Sequence, residues 1–137
     1  MAKDLKESKL FTPYKLNDKV TLRNRTIRSA AFESMGKDFN PTQKLKDYHV
    51  SVAKGGVGMT TLAYASINRS GVSFNSQLWL RDEVIEPLKD ITDAIHAEGA
   101  AAGIQIGHCG NMTHWSTAGS FPVSASNGFN LYSPTFH

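Results

Sequence analysis

The run Gly103-Ile104-Gln105-Ile106-Gly107-His108-Cys109-Gly110 concentrates the chemistry of this 137-residue chain. In an extended strand Gly103, Gln105 and Gly107 share one face, and Ile104 and Ile106 share the other. The isoleucines suit a helix-covered side. That leaves one amide between two glycines near the strand's C-terminal end, where α/β folds place ligands. An amide is donor and acceptor at once, which complements a heterocycle edge presenting C=O beside N–H. The alternative reading of Gln105 is a core glutamine satisfied by backbone groups. Ser29-Ala30-Ala31 and Ala63-Tyr64-Ala65 put small side chains at the ends of two further strand-like runs, where a flat ligand can approach the backbone. Phe32 and Tyr64 are placed to wall such a site. Together these residues suggest a planar heterocycle laid across the ends of three adjacent strands.

Other constellations carry less. Gly55-Gly56-Val57-Gly58 has the composition of a phosphate loop, but such loops follow a strand and open a helix. Here the glycines close a helix and open a strand, so they read as a helix cap and a close packing point. His108, Cys109 and His114 lack the paired short spacings of a zinc site. Adjacent residues at a strand end point to opposite sides, so His108 is poorly placed to activate the Cys109 thiol, which reads as a buried or incidental cysteine.

The elements that must hold these residues alternate. A β element and a strand over Thr26–Ala31 follow Pro13 and the turn-favouring pair Asn17-Asp18. Asn40-Pro41 opens a helix carrying Leu45, Tyr48, Val52 and Ala53 at helical spacing. Val57–Ala65 lacks polar alternation, as a parallel strand covered on both faces does. After a Ser/Asn-rich loop, Asp82 and Glu83 start a second helix whose Val84, Leu88, Ile91 and Ile95 share one face, with Pro87 in the first turn and Gly99 as cap. A third strand, Ala101–Gly107, follows at once, and a long loop runs from Cys109. This is an α/β pattern with parallel strands, compatible with an open doubly wound sheet or with the opening units of a (β/α)8 barrel.

In order and spacing, Leu10-Phe11-Thr12-Pro13, Leu22-Arg23-Asn24-Arg25-Thr26-Ile27, Gly55-Gly56-Val57-Gly58 and Gly103 to Gly110 resemble the old yellow enzyme family of FMN-dependent NAD(P)H:flavin oxidoreductases. The resemblance runs from about Leu10 to about Asn130. It implies the first three strands and two helices of a (β/α)8 TIM barrel: a polar tail over 1–9, a bottom hairpin over 10–25, the strand and helix units over 26–108 and a long loop over 109–137. It further implies FMN as cofactor, with Ser29, Ala30, Ala31 and Phe32 against the flavin ring, Tyr64 beneath it and Gln105 on its pyrimidine edge. NAD(P)H and an activated alkene or similar small-molecule acceptor would be the substrates. Ala30, Ala31 and Phe32 stand where the family commonly has Pro-Met followed by Cys or Thr, Tyr64 where it has Ala or Gly, and Cys109 and Asn111 where it has Ala and Arg. These departures adjoin the ring and bear on redox tuning and substrate choice. The family's proton-donating Tyr, its anion-binding pair and its phosphate loops would lie beyond the equivalent of His137, so the expectation is a truncated barrel, inactive alone, that associates with another chain or with itself.

Composition narrows the alternatives. With 40% hydrophobic and 20% charged residues the chain is an ordinary globular one. Residues 1–69 hold 13 Lys/Arg against 6 Asp/Glu, and residues 70–137 hold 2 against 6. The basic residues are interleaved with acids and apolar residues and carry no reader motif, so no nucleic-acid partner is expected. No apolar run approaches the roughly 18 residues of a membrane span and no secretory signal opens the chain, which points to a cytoplasmic protein. Two functions stay open: part of a flavin oxidoreductase, or a non-enzymatic module that pairs with another chain.

Overall fold

The computed structural model describes residues 8–129 and the backbone of Asn130, Thr135 and Phe136. Of the polar tail expected over 1–9, residues 1–7 lie outside the described residues, as do 131–134 and 137 of the long loop.

A 3-10 turn over Lys9–Phe11 leads into a small antiparallel hairpin, β1 (Tyr14–Lys15) with β2 (Thr21–Leu22). Its turn is held by the Asn17 Oδ1, which accepts from the N–H groups of Lys19 and Val20 at 2.8 and 2.9 Å, the turn chemistry expected of an Asx side chain.

The main sheet is parallel and centred on β4 (Met59–Ser66). On one edge of β4 lie, in succession, β3 (Ile27–Arg28), paired with Met59 and Thr60, and β5 (Leu78–Trp79), paired with Ala65 and Ser66. The other edge carries β6 (Ala101–Gly107), whose register slips between Leu62 and Ala65. Two expectations change here. The strand expected over Thr26–Ala31 is reduced to Ile27–Arg28, because side chains take over the β4 edge beyond Thr60. In addition, Leu78–Trp79 is a fourth strand inside a stretch that reads as loop, too short to show a period of two.

Helix α1 (Gln43–Lys54) starts two residues later than the Asn40-Pro41 pair suggests: Thr42 is the cap, its Oγ1 accepting from Leu45 N at 3.3 Å. Its buried face is Leu45, His49 and Ala53, in steps of four, in place of the expected Tyr48 and Val52. A 3-10 turn over Asp82–Val84 leads into α2 (Ile85–Ala97), with Pro87 in the first turn, where its missing N–H costs nothing. Ile91 and Ile95 of α2, Leu45 and Ala53 of α1, Leu62 and Ala65 of β4, Leu78 and Ala100 form one core, so both helices cover the same face of the sheet.

Beyond α2 the chain turns at Gly99, whose φ of +76° lies in the left-handed region that glycine adopts without a Cβ penalty. A Cβ there would also meet the Arg23 guanidinium at 3.3 Å. Gly99→Ala is expected to lower stability by about 1 kcal/mol, read as a fall in the urea midpoint at unchanged slope.

Ile104 and Ile106 pair with Leu62 and Ala65 and share their face, as expected, but they are 38% and 58% exposed and no helix among the described residues covers them. The chain after β6 goes elsewhere. The short helix α3 (Trp115–Ala118) is tied to the 3-10 turn Arg69–Gly71, where the Arg69 guanidinium donates to the Thr117 carbonyl. A last hairpin pairs β7 (Phe129–Asn130) with β8 (Thr135–Phe136). Among the described residues no helix is long and apolar enough to cross a membrane.

Candidate functional site

The C-terminal ends of β4 and β6 border a concavity of about 280 Å³ lined by Tyr64, Gln105, Ile106, Gly107, His108 and Cys109. Gln105 is exposed, and no side-chain hydrogen bond to its amide is present among the described residues, so the core-glutamine reading is set aside. A Cβ built on Gly107 would meet nothing within 4 Å, so the wall beside the amide is open. The strand places this donor and acceptor pair where a planar ring can take both.

Phe32 joins Tyr64 from the loop after β3. Its ring meets Tyr64 edge to face at 5.4 Å and stacks on Phe74 at 5.2 Å, a geometry that adds to simple burial. Ser29, Ala30 and Ala31 run out of the sheet before Phe32 and do not line the concavity; the Ala31 carbonyl instead accepts from Arg28 Nη2 at 3.1 Å. Tyr64, Gln105 and Phe32 are thus brought together, and the three small residues lie to one side.

Cys109 is half-buried, its Sγ 3.3 Å from the Tyr64 hydroxyl and about 4 Å from the fully buried Gln77 amide. His108 turns away from it, as alternation at a strand end requires. The ring contacts Ser70 Oγ at 3.1 Å and accepts from Gly110 N at 2.9 Å. It also presses on Gly71, where any Cβ would collide with the imidazole and with Ser66 Oγ. His114 pairs with Ser116, and among the described residues no group of three His, Cys, Asp or Glu can hold a metal ion.

Sequence reasoning missed the charged cluster beneath this site. The Glu33 carboxylate is 2% exposed and accepts from Arg28 Nη1 at 2.6 Å and from the Ala63 N–H at 3.2 Å. The fully buried His49 places Nε2 3.2 Å from Glu33 Oε1, and its Nδ1 lies 2.8 Å from Thr60 Oγ1. The signal for His49 was present in the four-residue steps from Leu45 to Ala53. No local signal marks Glu33. Burial pushes its carboxyl up, but the close approach of the His49 imidazole, a backbone hydrogen bond and the Arg28 charge outweigh this and hold it below the ordinary 4.5. A depressed folded value means stabilisation that is full above the unfolded value and lost as pH falls through the folded one. Acid unfolding followed by circular dichroism is therefore expected to show stability falling below about pH 4.5, with a shallower dependence in Glu33→Gln.

Residues 9–136 match the NADH:flavin oxidoreductase / NADH oxidase family. The chain belongs to that family. It is 39% identical over 101 residues to the 4,4'-dithiodibutanoate disulfide reductase of Rhodococcus erythropolis, a match covering 74% of this chain and 25% of that protein. Among solved structures it superposes on morphinone reductase in complex with tetrahydroNAD with a TM-score of 0.80 at 22% identity, over 92% of this chain and 35% of that one. The old yellow enzyme homologue of Zymomonas mobilis gives 0.78 at 21% identity, over 95% and 38%. These two likenesses show the fold: the chain has the architecture of the N-terminal part of a TIM barrel and spans a quarter to two-fifths of the length of these relatives. FMN is the cofactor of this old yellow enzyme family, and the exposed Gln105 amide beside the open Gly107 wall fits a ring with a C=O and N–H edge.

Proposed function

We propose that this chain supplies one side of the FMN seat of an NADH- or NADPH-dependent oxidoreductase of old yellow enzyme type. The observation that carries the reading is the exposed Gln105 amide at the C-terminal end of β6, facing the same concavity as Tyr64. Bound FMN supplies two-electron chemistry, accepting hydride from a reduced nicotinamide and returning it to an acceptor such as an activated alkene. The chain's own residues bind and orient. Gln105 pairs with the pyrimidine edge, Tyr64 supports the ring, and Phe32, propped by Phe74, excludes water from one flank.

A second reading rests on the exposed Ile104 and Ile106 and on the β6 edge facing away from β4: a module without flavin that associates with another chain or with itself. One experiment separates the two. The purified chain is incubated with FMN and passed through a sizing column with absorbance recorded at protein and flavin wavelengths. Flavin co-eluting at a fixed ratio supports the seat. A colourless oligomer supports the self-associating module, and a colourless compact monomer removes the flavin seat and favours a module that pairs with another chain.

A further inference from the structure

Where the ladder between β4 and β6 ends, the wall of the concavity is built from loop. The last paired residues are Ser66 and Gly107. Beyond them, backbone bonds join the segment after β4 to the segment after β6: the Ile67 N–H donates to the Gly107 carbonyl and the Cys109 N–H to the Gly71 carbonyl, both at 3.0 Å. His108 lies between these bonds and engages both segments through its two ring nitrogens. Nδ1 accepts from Gly110 N at 2.9 Å, a bond from a side chain to the amide two residues on, of the kind that Asx turns make. Nε2 reaches Ser70 Oγ in the other segment at 3.1 Å, and Ser70 Oγ in turn donates to Asn68 Oδ1 at 2.8 Å. The ring fits because position 71 has no side chain: a Cβ on the buried Gly71 would stand 2.6 Å from His108 Cδ2 and 2.4 Å from Ser66 Oγ.

We propose that His108 is a positioning residue of the site: as the Nε2–H tautomer it clamps the loop after β4 to the loop after β6 and so holds the Gly107, His108 and Cys109 wall of the concavity in place. The direction of each bond follows from donor and acceptor chemistry. A nitrogen that accepts from Gly110 carries no proton, so in an uncharged imidazole the proton sits on Nε2 and is donated to Ser70. Ser70 directs its own proton to Asn68, which leaves its lone pairs for the ring. The other tautomer would set one N–H against another at Gly110 and break the clamp at its own end. Loops open at lower cost than the strands they join, so a side-chain link beside the Cys109–Gly71 bond limits local opening of this wall. The effect on a ligand rests on the flavin seat proposed above. In that seat His108 acts by holding the wall beside Gln105, because both its nitrogens are already engaged in the fold.

The test uses the full chain labelled with nitrogen-15 at mildly alkaline pH, with Ser70→Ala beside the wild type. Ser70 is partly exposed and sits in the 3-10 turn Arg69–Gly71, so the variant removes the link and leaves the core. The wild-type His108 ring is expected to show a protonated Nε2 and an unprotonated, hydrogen-bonded Nδ1. In Ser70→Ala the Cys109 amide is expected to exchange about fivefold faster and FMN to bind about fivefold more weakly, while the Leu62 amide in the middle of β4 keeps its wild-type rate. If Ser70→Ala fails to fold, His108→Asn takes its place with the same expectations, since asparagine keeps an acceptor for Gly110 N and is too short to reach Ser70. A protonated Nδ1 overturns the proposal, and so does an unchanged Cys109 rate in the variant. Cys109 and Leu62 accelerating together also overturns it, because the loss is then global, and so does FMN bound equally well by both proteins. Faster exchange confined to the wall in a chain that never binds FMN leaves the clamp standing and removes the flavin seat.

Discussion

Arg23→Met is expected to lower the stability of the fold by about 3 kcal/mol, the largest loss anticipated for a residue outside the hydrophobic core. Arg23 leaves β2 and passes under both helices. Its Nε donates to the Val57 carbonyl at 3.0 Å, Nη1 to the Glu98 carbonyl at 2.7 Å, and Nη2 to the Ala53 carbonyl. Ala53 lies in the last turn of α1 and Glu98 caps α2, so one guanidinium reaches a carbonyl at the negative end of each helix. Charge-assisted bonds contribute roughly 1.5–3 kcal/mol each, and three on one rigid fork are not independent, which sets the figure well below their sum. Methionine keeps the apolar stem and removes the fork. Lysine restores a point charge that reaches only part of the set, so Arg23→Lys should recover a minority of the loss. Urea unfolding of the three proteins checks this, and equal midpoints for Arg23 and Arg23→Lys would show that the fork geometry is irrelevant.

Gln105→Leu is expected to weaken FMN binding by about 10- to 100-fold while leaving thermal stability unchanged. The two halves have separate causes. Gln105 is exposed and its side chain contributes no hydrogen bond among the described residues, so leucine removes no side-chain bond of the described fold. In the occupied seat, leucine would leave a desolvated C=O and N–H edge without partners, and unpaired polar groups cost about 1–3 kcal/mol. Fluorescence quenching of FMN on titration measures the first half and a melting curve the second. Unchanged affinity with an unchanged melt would take Gln105 out of the site; a lowered melt would return it to the core.

The elements with a strong local period were legible. Residues Ile91 and Ile95 recur on one face of α2, Gly99 ends it, and Ala101–Gly107 opens immediately as a strand, each by a short-range rule of sequence. The alternation of these units pointed to a parallel α/β fold, and the motifs from Leu10 to Gly110 pointed to the family that the comparison over residues 9–136 bears out. Gln105, Phe32 and Tyr64 were singled out as site candidates, and the structure brings them to one end of the sheet.

The tertiary structure alone decided what happens where the ladder fails. Leu78–Trp79 is a strand only because the β4 edge at Ala65 and Ser66 is vacant, and Thr26–Ala31 shrinks to two residues because Arg28 and Glu33 take the next backbone groups as side chains. Ile104 and Ile106 face the helix side by register, yet stay exposed because the following chain is drawn to Arg69. A local pattern records which face a residue prefers. Whether a partner is present at that face depends on groups ten or more positions away, so Arg28, Glu33, His49 and the carbonyl-binding fork of Arg23 take on meaning only once the chain is folded around them.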